Sequence, residues 1–172
     1  MGNHDVMGTG KMSKKEQRKF QTYFPEHVPT GFAEIIYSVA VILLNSNFSS
    51  LTKKEDADQI NWYKNLLKKL DADPSIQYII TGCHHSPYSN SKIVGSSKGV
   101  QQKFVSLFMR SKKTSLFLSG HSHNFEHFKK NGKDFLVIGG GGGLHQPLNP
   151  GTDELADIAP EYKPMFHYLT VR

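Results

Sequence analysis

The fold of this chain is set by the stretch Ile76-Gln77-Tyr78-Ile79-Ile80-Thr81, which runs directly into Gly82-Cys83-His84-His85-Ser86-Pro87. The first six residues are mainly apolar and predict a β-strand, whereas the next six combine glycine, proline and two histidines and predict a loop. A second strand, predicted over Ser115 to Leu118, leads in the same way into Gly120-His121-Ser122-His123. Binding sites of α/β sheets lie at the carboxyl ends of strands, so we expect the two loops to meet at one edge of a sheet.

A third short loop stands at the start of the sequence, Met1-Gly2-Asn3-His4-Asp5. Divalent transition metals bind neutral imidazole nitrogens together with amide and carboxylate oxygens, and all three loops offer such groups. Glycine in each loop permits a tight backbone turn. The three loops together therefore predict one metal site.

The segments between the loops predict strands that alternate with helices. Lys53 to Leu70 is the clearest helix, because Thr52 is a good N-cap and Glu55 follows three residues later. Asn131-Gly132 is typical of the two-residue turn of a β-hairpin, here between Phe128 and Lys133. The other predicted elements are helices over Lys11 to Phe24 and Lys98 to Arg110, and strands over Phe32 to Tyr37, Val39 to Asn45, Phe135 to Ile138 and Phe166 to Val171. The strand from Val39 is so apolar that we expect it to be buried on both faces.

In their order and flanking residues, these loops resemble the C-terminal three motifs of the calcineurin-like metallophosphoesterases, the superfamily that includes the purple acid phosphatases. That pattern is Gly-Asn-His-Asp/Glu, then His-x-Pro after a strand, then Gly-His-x-His. His85 to Ser91 and Gly120 to Glu126 are similar to the purple acid phosphatase forms of the second and third motifs. The resemblance implies an α/β fold, specifically a partial sandwich of two β-sheets flanked by helices, as a single domain over residues 1–172.

The family pattern begins with two earlier motifs, Asp-x-His and Gly-Asp-x-x-Asp, and neither occurs in these 172 residues. The aspartate pairs Asp56-Ala57-Asp58 and Asp71-Ala72-Asp73 lack the histidine and the glycine turn that those motifs contain. We therefore expect the sequence to correspond to the C-terminal portion of such an enzyme, with the N-terminal part of the sandwich missing.

By the same resemblance, Asn3, His85 and His121 would bind one metal ion, and His123 would bind a second. Two divalent or trivalent ions, of iron, zinc or manganese, would be present in an intact enzyme. His84 lies outside the His-x-Pro register, so we interpret it as a residue that supports the site or ends the strand.

The resemblance also implies two catalytic residues. His4 would lie over the bound phosphate and protonate the leaving group, and Asp5 would orient its ring and raise its pKa. The alternative for both residues is that they belong to a frayed terminus.

Three functions remain open at this point. An intact family member would hydrolyse phosphomonoesters or phosphodiesters by a metal-bound hydroxide, so the expected partner is a phosphate-ester substrate. Because the first two motifs are missing, the alternative is a non-catalytic metal-binding fragment, or half of a split enzyme whose partner chain supplies those motifs. Whether the chain is an enzyme is therefore uncertain. The third is a basic nucleic-acid-binding protein.

Composition narrows these choices. The net charge is +6, and many of the basic residues lie scattered along two predicted helices. We interpret them mainly as solvent-exposed helix faces, so nucleic acid is an unlikely partner except as a substrate. A mean hydropathy of -0.46 describes a soluble protein, and no apolar run approaches the roughly 20 residues that span a bilayer. The single cysteine, Cys83, excludes an intrachain disulfide. The compartment is unknown, and both cytoplasmic and exported locations fit.

Overall fold

The computed structural model of the chain describes residues 1–6, 11–28, 30–149, 151, 155–159 and 166–171. The helices are α1 (Lys11–Tyr23), α2 (Lys53–Ala72), α3 (Lys98–Val100) and α4 (Ser106–Arg110), with a π-helical turn over Gln101–Val105 joining the last two. The strands are β1 (Phe32–Ile36), β2 (Val39–Leu44), β3 (Tyr78–Cys83), β4 (Thr114–Ser119), β5 (Phe125–Lys130) and β6 (Lys133–Ile138). Short 3-10 helices cover Asn3–Val6 and Phe48–Ser50. None of the helices in the described ranges is long and apolar enough to cross a membrane.

The six strands form one mixed sheet in the order β1-β2-β3-β4-β6-β5. The four central strands β2, β3, β4 and β6 are parallel, whereas β1 and β5 pair antiparallel at the two edges. The predicted α/β fold, with a β-sheet flanked by helices, is therefore confirmed, and the described residues form one sheet. Since the central strands run in the same direction, all four of their carboxyl ends lie at one edge of the sheet.

Helix α2 begins where the sequence predicts. The Thr52 side chain accepts a hydrogen bond from the backbone N–H of Glu55, and the Glu55 carboxylate accepts one from the N–H of Thr52 at 2.7 Å. This reciprocal pair satisfies two backbone donors that a helix start otherwise leaves open. Further along α2, the Gln59 side chain is fully buried; its Oε1 accepts from the N–H of Asn45 at 2.7 Å, and its Nε2 donates to the Asn45 carbonyl at 3.0 Å. Gln59 thereby fixes the chain just after the end of β2.

The two faces of the sheet differ in burial, as β2 shows. Ala40, Ile42 and Leu44 face the helices and are at most 3% exposed, while the alternate residues are only half-buried. The prediction that this strand is buried on both faces is thus only half met, because the described helical residues pack against one face. The buried core on that face includes apolar residues of α2 and a group of aromatic rings, namely Tyr63, Tyr88, Phe104, Phe108, Phe117 and Phe135.

The hairpin between β5 and β6 confirms the Asn131-Gly132 prediction. Both residues have positive φ, 47° and 79°, as a type I′ turn requires. The predicted last strand, Phe166 to Val171, is wrong: these residues lack strand structure in the described chain. Phe166 and Tyr168 are 69% and 90% exposed, so this segment does not bury the apolar side chains that suggested a strand.

Candidate metal centre

The register of the parallel strands brings the histidine loops together. Leu44 at the end of β2 is level with Cys83 at the end of β3, and Cys83 is level with Ser119 at the end of β4. The residues that follow each strand therefore emerge side by side. His84 and His85 leave β3, and His121 leaves β4 one residue after Gly120, as the sequence pattern predicts.

Three histidines form a group that could hold a metal ion. Their candidate ligand atoms, contributed by His84, His85 and His121, all lie within 4.8 Å of one another. The ring centroids are 5.0 Å apart for His84 and His85, 4.8 Å for His84 and His121, and 4.5 Å for His85 and His121. All three side chains are half-buried, so a cation held there would be partly shielded from solvent.

Asn3 joins this group from the start of the chain. Its Oδ1 lies 2.7 Å from His84 Nε2, and His121 Nδ1 lies 3.0 Å from the same nitrogen. The amide oxygen of Asn3 and the imidazole nitrogen of His121 thus both lie within 3.0 Å of His84 Nε2. With metal bonds of about 2.1 Å, neighbouring ligand atoms are about 3.0 Å apart in octahedral and about 3.4 Å apart in tetrahedral geometry. The observed separations of 2.7 and 3.0 Å are within a few tenths of an ångström of the octahedral value, so Asn3, His84 and His121 fit a cation after small shifts.

The electrostatics of the group favour the form that binds metals. Burial, with smaller contributions from the neighbouring imidazoles, lowers the pKa of His84 and of His85 to about 4. Burial, followed by the charge of His123, also lowers the pKa of His121. At neutral pH the rings of His84 and His85 therefore carry no charge, and a neutral imidazole is the species that coordinates a cation.

Ser46 orients the His85 ring. This serine follows β2, is 3% exposed, and its Oγ lies 2.8 Å from His85 Nδ1 while accepting a hydrogen bond from the His85 backbone N–H at 3.0 Å. When Nδ1 donates its proton to Ser46, Nε2 keeps the lone pair that a metal requires. Ser46 was not among the predicted site residues, because a serine in the turn after a strand does not by itself indicate a contact with a histidine of another loop.

Of the residues expected to bind metal, His85 and His121 belong to the group of three histidines, Asn3 adjoins it through His84, and His123 lies outside it. His123 Nδ1 lies 2.8 Å from the carbonyl oxygen of Leu144, and its ring packs against the backbone of Gly143. His84, which the His-x-Pro register left out, lies at the centre of the group instead. The adjacent pair of histidines directly after a strand was the signal available for it.

The two residues expected to be catalytic lie at the exposed rim of this group. His4 is exposed, and its charge contributes to lowering the pKa of His121. Asp5 accepts a hydrogen bond from the backbone N–H of Gly2 at 2.7 Å, and among the described residues it makes none to His4. The predicted orientation of His4 by Asp5 therefore stays a prediction.

Direct contacts hold the two histidine loops against each other. Ser86 Oγ donates to the Gly120 carbonyl at 2.7 Å, and the Gly120 N–H donates to the His84 carbonyl at 3.0 Å. The glycine run after β6 packs on the same loop: a Cβ at Gly139 would lie 1.8 Å from the Ser122 carbonyl oxygen. At this position the glycine run therefore packs closely against the backbone of the loop after β4.

Comparisons with known proteins show which solved structures share the fold of this chain, but they do not show its family. No protein-family model matches the sequence, and no curated protein matches it. GAP50, the anchor in the inner membrane complex of Plasmodium, is structurally similar, with a TM-score of 0.53 and 20% identity over 73% of this chain and 42% of GAP50. This likeness shows a shared fold.

Two further solved structures are less similar to the chain. A dimetal phosphatase from Danio rerio matches with a TM-score of 0.48 and 12% identity, over 63% of this chain and 48% of that protein. A protein described as a 5′-nucleotidase from Staphylococcus aureus matches with a TM-score of 0.41 and 13% identity, over 83% and 31%. The chain spans less than half the length of each of these three structures.

Proposed function

We propose that this chain, as a single domain over residues 1–172, binds a divalent metal ion and belongs to the phosphoesterase kind of protein. Asn3, His84, His85 and His121 are the proposed ligands. The observation that carries the proposal is the convergence of His84, His85 and His121 at the carboxyl ends of the parallel strands, with ligand atoms within 4.8 Å of one another and with Asn3 Oδ1 2.7 Å from His84 Nε2. The resemblance of the same loops to metallophosphoesterase motifs supports a phosphate ester as the substrate class.

The proposed roles follow from the chemistry of each residue. A cation bound here would act as a Lewis acid toward phosphoryl oxygens and neutralise their charge. Ser46 keeps the His85 ring in its binding orientation. His4, exposed at the rim, is the residue we propose to donate a proton to the leaving alcohol. His123 faces Leu144, and we propose that it lies near the substrate or a second cation rather than in the group of four.

Metal binding is tested directly by titrating the purified chain with Zn²⁺ or Mn²⁺ in a calorimeter. We expect one ion per chain, and at least tenfold weaker binding for His84→Gln and for His121→Gln. His145→Gln is the matched control, because His145 is exposed and lies outside the group, with its ring centroid 5.3 Å from that of Phe166. Equal affinities in all four proteins would refute the ligand assignment.

Hydrolysis is tested separately with a chromogenic aryl phosphate in the presence of the same metals. Activity that requires metal and falls at least tenfold in His4→Ala would establish the catalytic form of the proposal. A metal-binding chain without activity would instead support the alternative, a non-catalytic fragment or half of a split enzyme. The observation that favours this alternative is that neither Asp-x-His nor Gly-Asp-x-x-Asp occurs in the sequence.

A further inference from the structure

A buried carboxylate lies behind the histidine loops and outside the proposed ligand set. Glu126, on β5, is 0% exposed. Ser89 Oγ donates to its Oε1 at 2.7 Å, the Asn90 N–H donates to its Oε2 at 2.6 Å, and Ser122 Oγ donates to Oε1 at 3.3 Å. Within the described residues, no lysine, arginine or histidine forms an ion pair with it. Only neutral donors therefore hold this carboxylate.

The donors to Glu126 come from both histidine loops, the one after β3 and the one after β4. Ser89 and Asn90 follow His85 by four and five residues, and Ser122 lies between His121 and His123. Glu126 thus connects the loop after β3 with the loop after β4 from the side of β5. The Ser122 hydroxyl also accepts a hydrogen bond from Asn124 Nδ2 at 3.0 Å, which ties the second loop to the start of β5.

Burying the Glu126 carboxylate costs free energy that close packing by itself does not explain. A carboxylate without a cationic partner loses its hydration on burial, and burial accordingly raises the pKa of Glu126. An apolar side chain would fill the same volume without that cost. A carboxylate differs from an apolar side chain in having two acceptor oxygens, which can hold hydroxyl and N–H donors from two loops in fixed positions.

We propose that Glu126 is a positioning residue of the metal centre, which sets the spacing of His85 and His121 by binding both of their loops. This inference rests on the proposed metal binding and extends it to a residue that touches no ligand atom. Ser86, which links the same two loops at their start, limits the spacing near Gly120 but leaves the segments around Ser89 and Ser122 to Glu126.

Two substitutions separate this role from simple stabilisation. Glu126→Ala removes both acceptor oxygens, whereas Glu126→Gln can still accept from the Asn90 N–H and donate to the serine hydroxyls. Thr114→Val is the control, because Thr114 is 3% exposed, donates to the Phe108 carbonyl at 2.6 Å, and lies at the opposite, amino end of β4. It should lower stability without changing the histidine loops.

The experiment measures Zn²⁺ affinity by calorimetry under conditions where each protein is folded. We expect a 10- to 100-fold loss in Glu126→Ala, the range typical for partners of metal ligands, and a loss of less than fivefold in Glu126→Gln and less than twofold in Thr114→Val. Wild-type affinity in Glu126→Ala, or an equal loss in Thr114→Val, would overturn the inference.

A second readout does not depend on metal. The imidazole carbon and proton NMR signals of His85 and His121 report the positions of the two rings in the metal-free chain. They should shift in Glu126→Ala, recover largely in Glu126→Gln, and stay unchanged in Thr114→Val. If the wild-type chain binds no metal while these signals shift as expected, the proposed function fails but the positioning role stands. Unshifted signals in Glu126→Ala would overturn the positioning role by itself.

Discussion

Replacing Ser46 with alanine should weaken both the fold and the metal centre, by amounts that the structure allows us to separate. The substitution removes two hydrogen bonds of His85, the one at 2.8 Å to Nδ1 and the one at 3.0 Å from the backbone N–H. Each such bond contributes about 1 kcal/mol, and an unpaired buried donor costs about 1–3 kcal/mol. Because His85 is half-buried and water can replace part of the loss, we expect Ser46→Ala to lower the free energy of unfolding by about 2 kcal/mol without metal.

Saturating zinc should enlarge this difference. A ligand that loses its orienting partner binds metal about 10–100-fold more weakly, which corresponds to about 1.4–2.8 kcal/mol. Urea unfolding with and without zinc therefore measures the two effects separately, since zinc stabilises each protein according to its own affinity. Ser111→Ala is the control: Ser111 is 6% exposed and donates to Asp71 at 2.8 Å. A zinc-independent difference for Ser46→Ala, as expected for Ser111→Ala, would refute the role of Ser46.

Three further predictions follow from local contacts. Folding lowers the pKa of His84 and of His85 from the ordinary 6.5 to about 4, so between these pH values the unfolded chain binds more protons than the folded chain. The metal-free protein should therefore lose stability as the pH falls from about 6.5 to about 4. Urea unfolding midpoints measure this loss, and a midpoint that stays constant over that range would contradict it. Gly139→Ala should cost about 2 kcal/mol or more and weaken zinc binding, because its Cβ would meet a backbone oxygen at 1.8 Å, whereas Gly141→Ala, with nothing within 4 Å, should change stability by less than about 0.5 kcal/mol. Thr52→Ala should lower stability by about 1 kcal/mol in thermal unfolding through loss of the α2 cap, and an unchanged melting temperature would argue against that cap.

Local patterns in the sequence predict much of the fold, because helix starts and tight turns depend on interactions between residues that are close together in the chain. The start of α2 depends on Thr52 and Glu55, which are neighbours in the chain, and the turn between β5 and β6 depends on two residues that tolerate positive φ. The segment from Phe166 has apolar residues but forms no strand. Strand formation requires a partner with free backbone groups, and that requirement is not visible in the segment itself.

The sequence alone determined that histidine loops follow predicted strands, since residue type and spacing along one chain suffice for this. The resemblance of these loops to metallophosphoesterase motifs then made Asn3, His85 and His121 the candidate ligands. The tertiary structure decided which imidazoles converge. His84 lies within 3.0 Å of His121 because β3 and β4 are parallel and in register at Cys83 and Ser119, while the ring of His123 is turned toward Leu144. It also decided that Glu126 connects two loops that are more than thirty residues apart in sequence. Such contacts depend on strand order and register. These are properties of the whole sheet, so they cannot be predicted from the sequence of any single loop.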